Sequence, residues 1–187
     1  MALSEGLSKI TARRVASVIG VQPGLVTHYF AAIDELISAA FRQLATTERE
    51  KIGNRAQTEA TSIGQIQVAI ASYTTAERDP MGLLWLDAWR QAADRPLLRQ
   101  AVIEQMELDV SDMEHTITAG AASGEFHLKE SPSVVATRIL SLLDGQTVAS
   151  AIRSALTDSA LDYPAVEVLL MATAERELGL PEGTLSG

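Results

Sequence analysis

The sequence predicts an all-α protein in two parts, an N-terminal helix-turn-helix domain and a larger C-terminal helical domain. Apolar residues recur at helical spacing along almost the whole chain, and no clean alternating run or Asn-Gly or Asp-Gly hairpin is found. Of the 187 residues, 47% are hydrophobic but only 4% aromatic, so small aliphatic side chains must form the core. Near the start, Gly20 separates two short segments of helical pattern. These three observations favour closely packed helices and place a sharp turn between the first two.

Local residue preferences set the bounds of the first helices. Thr11 is a good N-cap for a helix with Val15, Val18 and Ile19 on one apolar face, and Gly20 can end it in the left-handed conformation. Pro23 suits the first turn of the second short helix.

Longer helices follow, and each is predicted from apolar periodicity between breaks. Their expected spans are about 33–52, 62–78, 81–94, 96–122, 132–156 and 163–178. The stretch "ASGEFHLKESPS" (122–133) is predicted to be a loop or short connector, and the tail "PEGTLSG" is expected to be mobile.

The composition excludes several classes of site. The chain has no Cys, and its three His residues are scattered, so we predict no disulfide and no metal site. No phosphate-binding glycine loop, HExxH, GxSxG or Glu-x-x-His pair is present, so we expect neither an enzyme nor a cofactor. No run approaches the roughly 18–20 apolar residues of a membrane span, and the start lacks the pattern of a signal peptide. We therefore expect a cytoplasmic protein without a membrane partner.

Charge is distributed unevenly. The net charge is −9, yet residues 1–44 carry four basic and three acidic side chains, which leaves −10 on the remainder. A nearly neutral N-terminal part on an acidic body is compatible with a small DNA-reading module whose body stays away from phosphates.

The segment 10–30 has the features of a helix-turn-helix. Gly20 allows the turn, Val21 can fill the space between the helices, and Ala16 permits their close approach. The second helix could then enter the major groove of DNA with Gln22, Thr27 and His28 near base edges.

The longer stretch "ITARRVASVIGVQPGLVTHYFAAIDELISAAF" resembles the DNA-binding segment of the TetR family of bacterial repressors. The matching residues are Thr11, Arg13, Ala16, Gly20, Val21, Gly24, His28, Tyr29, Phe30, Glu35 and Leu36. "WLDAWRQAADRPLLRQ" and "LLDGQTVASAIR" are similar to the ligand domains of the betaine/choline regulator subgroup. The resemblance implies a helix-turn-helix DNA-binding domain at 1–48 and a ligand-binding and dimerisation domain at 49–187.

By the same resemblance, the two short helices and the turn between them are expected to supply the DNA contacts. The expected set is Thr11, Arg13, Arg14, Gln22, Gly24, Leu25, Thr27, His28 and Tyr29. Arg13 and Arg14 are phosphate contacts or solvated helix residues, and the motif favours contact for at least one of them. Gln22 reads a base or caps its helix, and His28 touches DNA or packs at the helix end.

Three features depart from the family pattern. Only ten residues precede Thr11, so the first helix is expected to be short, and a truncated start is one explanation. Ile33 replaces a frequent Lys, and Leu25 replaces a frequent Thr.

Two tryptophans four residues apart mark a candidate ligand pocket. The proposed lining residues are Met81, Trp85, Trp89, Met106 and Met113, with plain core or dimer packing as the alternative. Indole faces would suit a quaternary ammonium by cation–π attraction, and Asp87 or Glu104 could add negative charge.

The last two long helices are expected to form a four-helix interface in a homodimer. The residues expected to face the partner are Ala136, Ile139, Leu140, Leu143, Val148, Ile152, Val166, Leu169, Leu170 and Thr173.

The sequence therefore predicts a repressor that binds a palindromic double-stranded DNA operator as a homodimer and is released by a small-molecule effector of unknown identity. The alternative is a helical small-molecule-binding dimer that no longer binds DNA.

Overall fold

The computed structural model of the chain describes residues 1–152 and 163–186, with side chains described except at 150 and 163–167. Within these ranges the regular structure is helical and no strand is found, which confirms the predicted all-α class. The α-helices are α1 (Ala2–Glu5), α2 (Ala12–Ile19), α3 (Pro23–Tyr29), α4 (Ile33–Ala56), α5 (Ser62–Thr74), α6 (Asp79–Ala92), α7 (Pro96–Ser123), α8 (Pro132–Thr147) and α9 (Tyr163–Leu178). Short 3-10 turns lie at Leu7–Lys9, Ala76–Arg78 and Val148–Ala151.

The predicted ends of α2 are confirmed. The Thr11 hydroxyl accepts a hydrogen bond from the amide of Arg14 at 3.2 Å, which satisfies one free donor of the first turn. Gly20 ends the helix with φ +73°, a left-handed conformation that suits glycine. The predicted buried face of α2 is wrong in part, because Val18 and Ile19 are 72% and 61% exposed.

Three later boundaries differ from the sequence prediction. Gly53 and Asn54 do not end α4, which continues to Ala56. α5 ends at Thr74 because Thr75 takes an extended conformation, and a 3-10 turn follows. The α-helical part of α8 ends at Thr147, and a 3-10 turn continues it to Ala151. Residues 153–156 of the predicted helix lie outside the described residues.

The chain divides into two compact units. The first combines Met1–Glu48 with Pro80–Met106, and the second combines Arg49–Asp79 with Glu107–Gly187. Residues 80–106, which the sequence analysis placed in the second domain, thus pack with the N-terminal helices. They do so because Leu84, Ala88 and Leu98 are buried in the same apolar cluster as Phe41 of α4.

Each unit has its own apolar core. The core of the first unit contains Leu7, Ile10, Ala16, Val26, Leu36, Ile37, Phe41, Ala45, Met81, Leu84, Trp85, Ala88, Leu98, Ala101 and Val102. That of the second contains Ile66, Ile70, Met113, Ile117, Phe126, Val135, Ala136, Ile139, Leu140, Leu143, Leu170, Ala174, Leu178 and Leu185.

The C-terminal tail is anchored up to residue 186, so the expectation of a mobile tail is wrong. Leu185 is only 3% exposed and belongs to the second core. The buried carboxylate of Glu175 accepts hydrogen bonds from the amides of Gly183 and Leu185 at 3.0 and 2.7 Å. These two bonds and the buried leucine fix the tail against α9.

Candidate nucleic-acid interface

α2 and α3 form the predicted helix-turn-helix. Ala16 of α2 is fully buried and Val26 of α3 is 5% exposed, and both belong to the first core. Val21, between the helices, is half-buried against that core, and its amide donates to the carbonyl of Ala16 at 2.9 Å. The small side chain at Ala16 lets the helices approach, as the sequence analysis expected.

One side of α3 faces solvent. Gly24, Thr27 and His28 are exposed, opposite the buried Val26, and Leu25 beside them is 46% exposed. The Thr27 hydroxyl lies 3.1 Å from the carbonyl oxygen of Gly24 and donates within its own helix. We call the exposed residues Gln22, Gly24, Leu25, Thr27 and His28 the reading face.

The aromatic pair at the end of α3 lies in solvent. The ring of Tyr29 is 74% exposed and meets the ring of His28 edge-on, with 5.5 Å between centroids. The Tyr29 hydroxyl is therefore accessible, whereas its ring does not enter the apolar core.

Acidic side chains are absent from the whole segment 6–33, although the chain carries 24 of them. The cations of this segment are Lys9, Arg13 and Arg14, and Lys9 and Arg13 are exposed. This stretch includes the reading face, and a phosphate that approaches it meets Lys9 and Arg13 without an acidic side chain from the same segment.

Arg14 has a partner within the chain. Its guanidinium lies 2.5 Å from the carboxylate of Glu5, and it also donates to the carbonyl of Lys9 at 3.3 Å. The hydrogen bond from Arg14 lowers the pKa of Glu5 below its ordinary value. Both side chains are about 40% exposed, so the pair is solvated and exchangeable.

Asp87 of α6 holds the segment that leads into the helix-turn-helix. Its carboxylate accepts a hydrogen bond from the amide of Leu7 at 2.7 Å, and Leu7 itself is fully buried. Gly6 precedes it with φ +84°, and a Cβ there would lie 3.1 Å from the same carboxylate oxygen. Burial alone would raise the pKa of Asp87, but hydrogen bonds from Gln91, Arg90 and Leu7 lower it below its ordinary value.

α4 is tied to α7 by three polar contacts within the first unit. Asp34 accepts from the amide of Leu97 at 3.0 Å and so caps the start of α7. Two guanidinium nitrogens of Arg42 donate to one carboxylate oxygen of Glu104 at 3.0 and 3.1 Å. The hydroxyl of Thr46 lies 3.3 Å from the side-chain oxygen of Gln105.

The residues expected to line a ligand pocket lie in different surroundings. Met81 and Trp85 belong to the first core and Trp89 packs against it, and the ring of Trp85 meets Phe41 edge-on with centroids 4.9 Å apart. Met113 belongs to the core of the second unit, and Met106 is 39% exposed. The two carboxylates considered for a cationic ligand, Asp87 and Glu104, already accept the hydrogen bonds described above.

A polar cluster that the sequence analysis missed lies in the second unit. The guanidinium of Arg78 stacks on the ring of Tyr73, 4.0 Å from its centroid, and lies 3.4 Å from the hydroxyl of buried Thr147. Burial raises the pKa of nearby Asp144, although Arg78 acts in the opposite direction. No local pattern could reveal this cluster, because its members come from α5, the following turn and α8.

The residues expected at a dimer interface divide into two groups. Ala136, Ile139, Leu140, Leu143 and Leu170 are buried in the core of their own chain. Val148, Ile152 and Leu169 are 52–62% exposed, Thr173 is half-buried, and Val166 lies outside the described side chains. Three further exposed apolar residues of α8 and α9 were not in the predicted set: Val134, Leu142 and Val168.

The described ranges contain neither a candidate metal cluster nor a helix that could span a membrane. No three His, Asp or Glu residues of these ranges are arranged to hold a metal ion. No helix there combines the length and hydropathy that crossing a membrane requires.

The sequence has distant relatives among characterised regulators, although no protein-family model matches it. It is 25% identical over 99 residues to the HTH-type transcriptional regulator BetI 2 of Chromohalobacter salexigens, covering 51% of this chain and 48% of the relative. It is 29% identical over 102 residues to BetI of Paraburkholderia phymatum, covering 51% and 50%. The chain thus spans about half the length of the curated relatives it matches.

Solved structures match over nearly the whole chain. A TetR-family regulator from Rhodococcus sp. superposes with TM-score 0.78 at 17% identity, covering 95% of this chain and 92% of that one. A regulator from Saccharomonospora viridis in complex with choline gives TM-score 0.71 at 15% identity, covering 90% and 86%. FadR of Bacillus subtilis in complex with stearoyl-CoA gives 0.69 at 18% identity, covering 95% and 91%. At such identities the agreement establishes the fold.

Proposed function

Because this chain has the fold of the TetR-family transcriptional regulators and is distantly related in sequence to BetI, we propose that it is a ligand-responsive transcriptional repressor. It binds a palindromic operator as a homodimer through residues 1–48 and is released by a small molecule bound within 49–187. The observation that carries this proposal is the reading face of α3, exposed within a segment that lacks any acidic side chain.

Charge supports DNA as the partner. Any acidic residue on the reading face would repel phosphates. Acidic residues are common in this chain, whose net charge is −9, so their absence from the reading face is informative. None occurs at 6–33, and Lys9 and Arg13 remain exposed. The expected arrangement has the two α3 helices of a dimer in successive major grooves, about 34 Å apart.

Exposed apolar side chains on α8 and α9 support the homodimer. Leu142, Val148, Ile152, Val168 and Leu169 are each between 37% and 62% exposed. Val148 and Ile152 belong to the turn after α8, so exposed apolar side chains continue from α8 into this turn and recur on α9. Burial against a second copy of the chain would remove both sets from water.

Effector binding is proposed to act by population shift. A small molecule stabilises the conformation in which the two reading faces no longer match one turn of DNA, and the coupling equals its preference between the two conformations. The choline and stearoyl-CoA of two structural neighbours are the first probes to use. Trp85 and Trp89 stay the proposed contacts for a quaternary ammonium group.

A second candidate function is a small-molecule-binding dimer that does not bind DNA. The pairing of Arg14 with Glu5 favours it, because this arginine is already neutralised. Ile33 favours it too, since it is 44% exposed where relatives of the family frequently carry Lys.

Selection of duplexes from a random pool by the purified chain tests both candidates. The repressor predicts a palindrome with half-sites about one helical turn apart. With the exposed Lys9 and Arg13 of each protomer, four cations in a dimer, the logarithm of the association constant should fall with the logarithm of salt with a slope of about −4. Absence of enrichment at low salt, with the chain folded, would favour the second candidate.

A further inference from the structure

We propose that Leu25 selects the operator half-site by packing against the C5-methyl group of a thymine. This inference rests on the proposed function, since it requires α3 to enter the major groove. The proposed function does not specify which base is recognised or which side chain recognises it, and this inference names one of each.

The position of Leu25 is suited to contact a base. It is the third residue of α3 and 46% exposed, next to buried Val26 on one side and Gly24 on the other. Gly24 has no side chain, and a Cβ built there would meet nothing within 4 Å. DNA can therefore approach the backbone closely at this point, which brings the Leu25 side chain against the groove floor.

The chemistry of the major groove leaves one partner for a leucine. Base edges there present hydrogen-bond donors and acceptors, together with a single apolar group, the thymine methyl. A leucine placed against a donor or acceptor would remove water without replacing its hydrogen bond, which is unfavourable. Contact with the methyl group buries apolar surface on both sides.

Neighbouring side chains on the reading face do not take over this role. The Thr27 hydroxyl lies 3.1 Å from the carbonyl of Gly24 and 3.4 Å from that of Pro23, and its single methyl group offers less apolar surface than the leucine side chain. Gln22 and His28 have polar groups that suit base edges and not a methyl group. Leu25 is thus the largest apolar side chain of the reading face.

A single exposed leucine is ordinary on a protein surface. Leu25 differs from other exposed apolar residues, such as Leu83 of α6 at 44% exposure, because it lies on the reading face. Leu83 therefore offers a matched control of the same residue type and similar exposure.

The experiment replaces thymine by deoxyuridine, which pairs identically and lacks only the methyl group. Each thymine of the selected palindrome is replaced in turn, in both half-sites, and binding is measured with the intact chain. One position should weaken binding about fourfold per half-site, roughly fifteenfold for the symmetric change, as expected for losing one buried methyl group. Leu25→Ala should bind the thymine and deoxyuridine duplexes equally, whereas Leu83→Ala should keep the difference.

The outcomes separate this inference from the proposed function. Tight duplex binding without any thymine-to-deoxyuridine effect, or a selected half-site without thymine, would overturn the role of Leu25 and leave the repressor standing. An effect that persists in Leu25→Ala would also overturn it. Failure to bind any duplex would overturn the proposed function itself.

Discussion

At the scale of single residues, Arg14 is a proposed DNA contact that already has a partner within the chain. The guanidinium lies 2.5 Å from the Glu5 carboxylate, and both groups are well exposed. A solvated pair of this kind contributes little to folding stability, but it engages one of the three cations of the segment 6–33. In the proposed complex, Glu5 would compete with a DNA phosphate for Arg14.

Replacing Glu5 should strengthen DNA binding. In Glu5→Ala, Arg14 becomes available in each protomer, so affinity at low salt should rise several-fold. The salt dependence should steepen by about 2 in slope, since each added phosphate contact changes it by about 0.9. Fluorescence anisotropy across a salt series measures both quantities.

Glu50→Ala, which removes an exposed acidic residue of α4 in the second unit, is the control for net charge. Equal slopes for the two variants would show that Arg14 does not reach a phosphate.

Asp87 is the residue by which α6 holds the start of the helix-turn-helix, and it should make stability depend on acid. Its pKa is lowered in the folded chain, so the stabilisation is present above the ordinary pKa near 4 and is lost as pH falls through the lower folded value. Asp87→Ala should cost about 2 kcal/mol at neutral pH, because it removes charged hydrogen bonds to Leu7, Arg90 and Gln91.

Urea unfolding at pH 7 and near pH 3 measures this effect. The difference between wild type and Asp87→Ala should shrink at the lower pH. Asp94→Asn changes an exposed aspartate beyond the end of α6 and serves as the control. A difference that stays the same at both pH values would mean that the charge of Asp87 is not what matters.

At the scale of helices, the sequence predicted the individual helices but not the contacts between them. Thr11, Gly20 and Pro23 act on their own helices, so local preference was enough to place α2 and α3. Asp34 and Leu97 are 63 positions apart, and Leu7 and Asp87 are 80 apart. Such pairs depend on how helices cross, which periodicity does not encode.

The cap that Asp34 forms on α7 gives a prediction at this scale. Asp34→Ala leaves the amide of Leu97 without its partner at the start of a long helix. We expect a loss of about 1 kcal/mol in the free energy of unfolding, typical of a removed N-cap, and a lower melting temperature. Thermal and urea unfolding measure it against Glu107→Ala, an exposed carboxylate in the interior of α7. A variant as stable as that control would mean that the hydrogen bond contributes nothing net.

At the scale of the whole molecule, the two compact units do not follow the order of the chain. Residues 80–106 follow the second domain's first helix in the chain, yet they pack in the first unit with α4. The sequence of an amphipathic helix such as α6 predicts that one face is buried. It does not predict which neighbouring helix that face packs against. The same limit explains the predicted dimer residues, five of which proved to be core of their own chain.

The proposed homodimer should be lost in Leu169→Glu. Leu169 is 62% exposed, so a glutamate there is solvated in the isolated chain and should leave its fold unchanged. In a dimer the same carboxylate would be buried against apolar side chains of a second copy without a counter-charge, which is strongly unfavourable.

Sedimentation velocity should therefore find a monomer whose helical circular dichroism is unchanged. Affinity for a palindromic duplex should fall more than a hundredfold, because each half-site is then bound by one protomer alone. Leu83→Glu places the same charge on an exposed apolar position of α6 and should remain dimeric.

If Leu169→Glu stays dimeric and binds the palindrome normally, α9 does not form the interface, and the apolar residues of α8 and α9 need another partner. If both variants dissociate, the interface includes α6, and the assignment of dimerisation to residues 49–187 must be extended to the first unit.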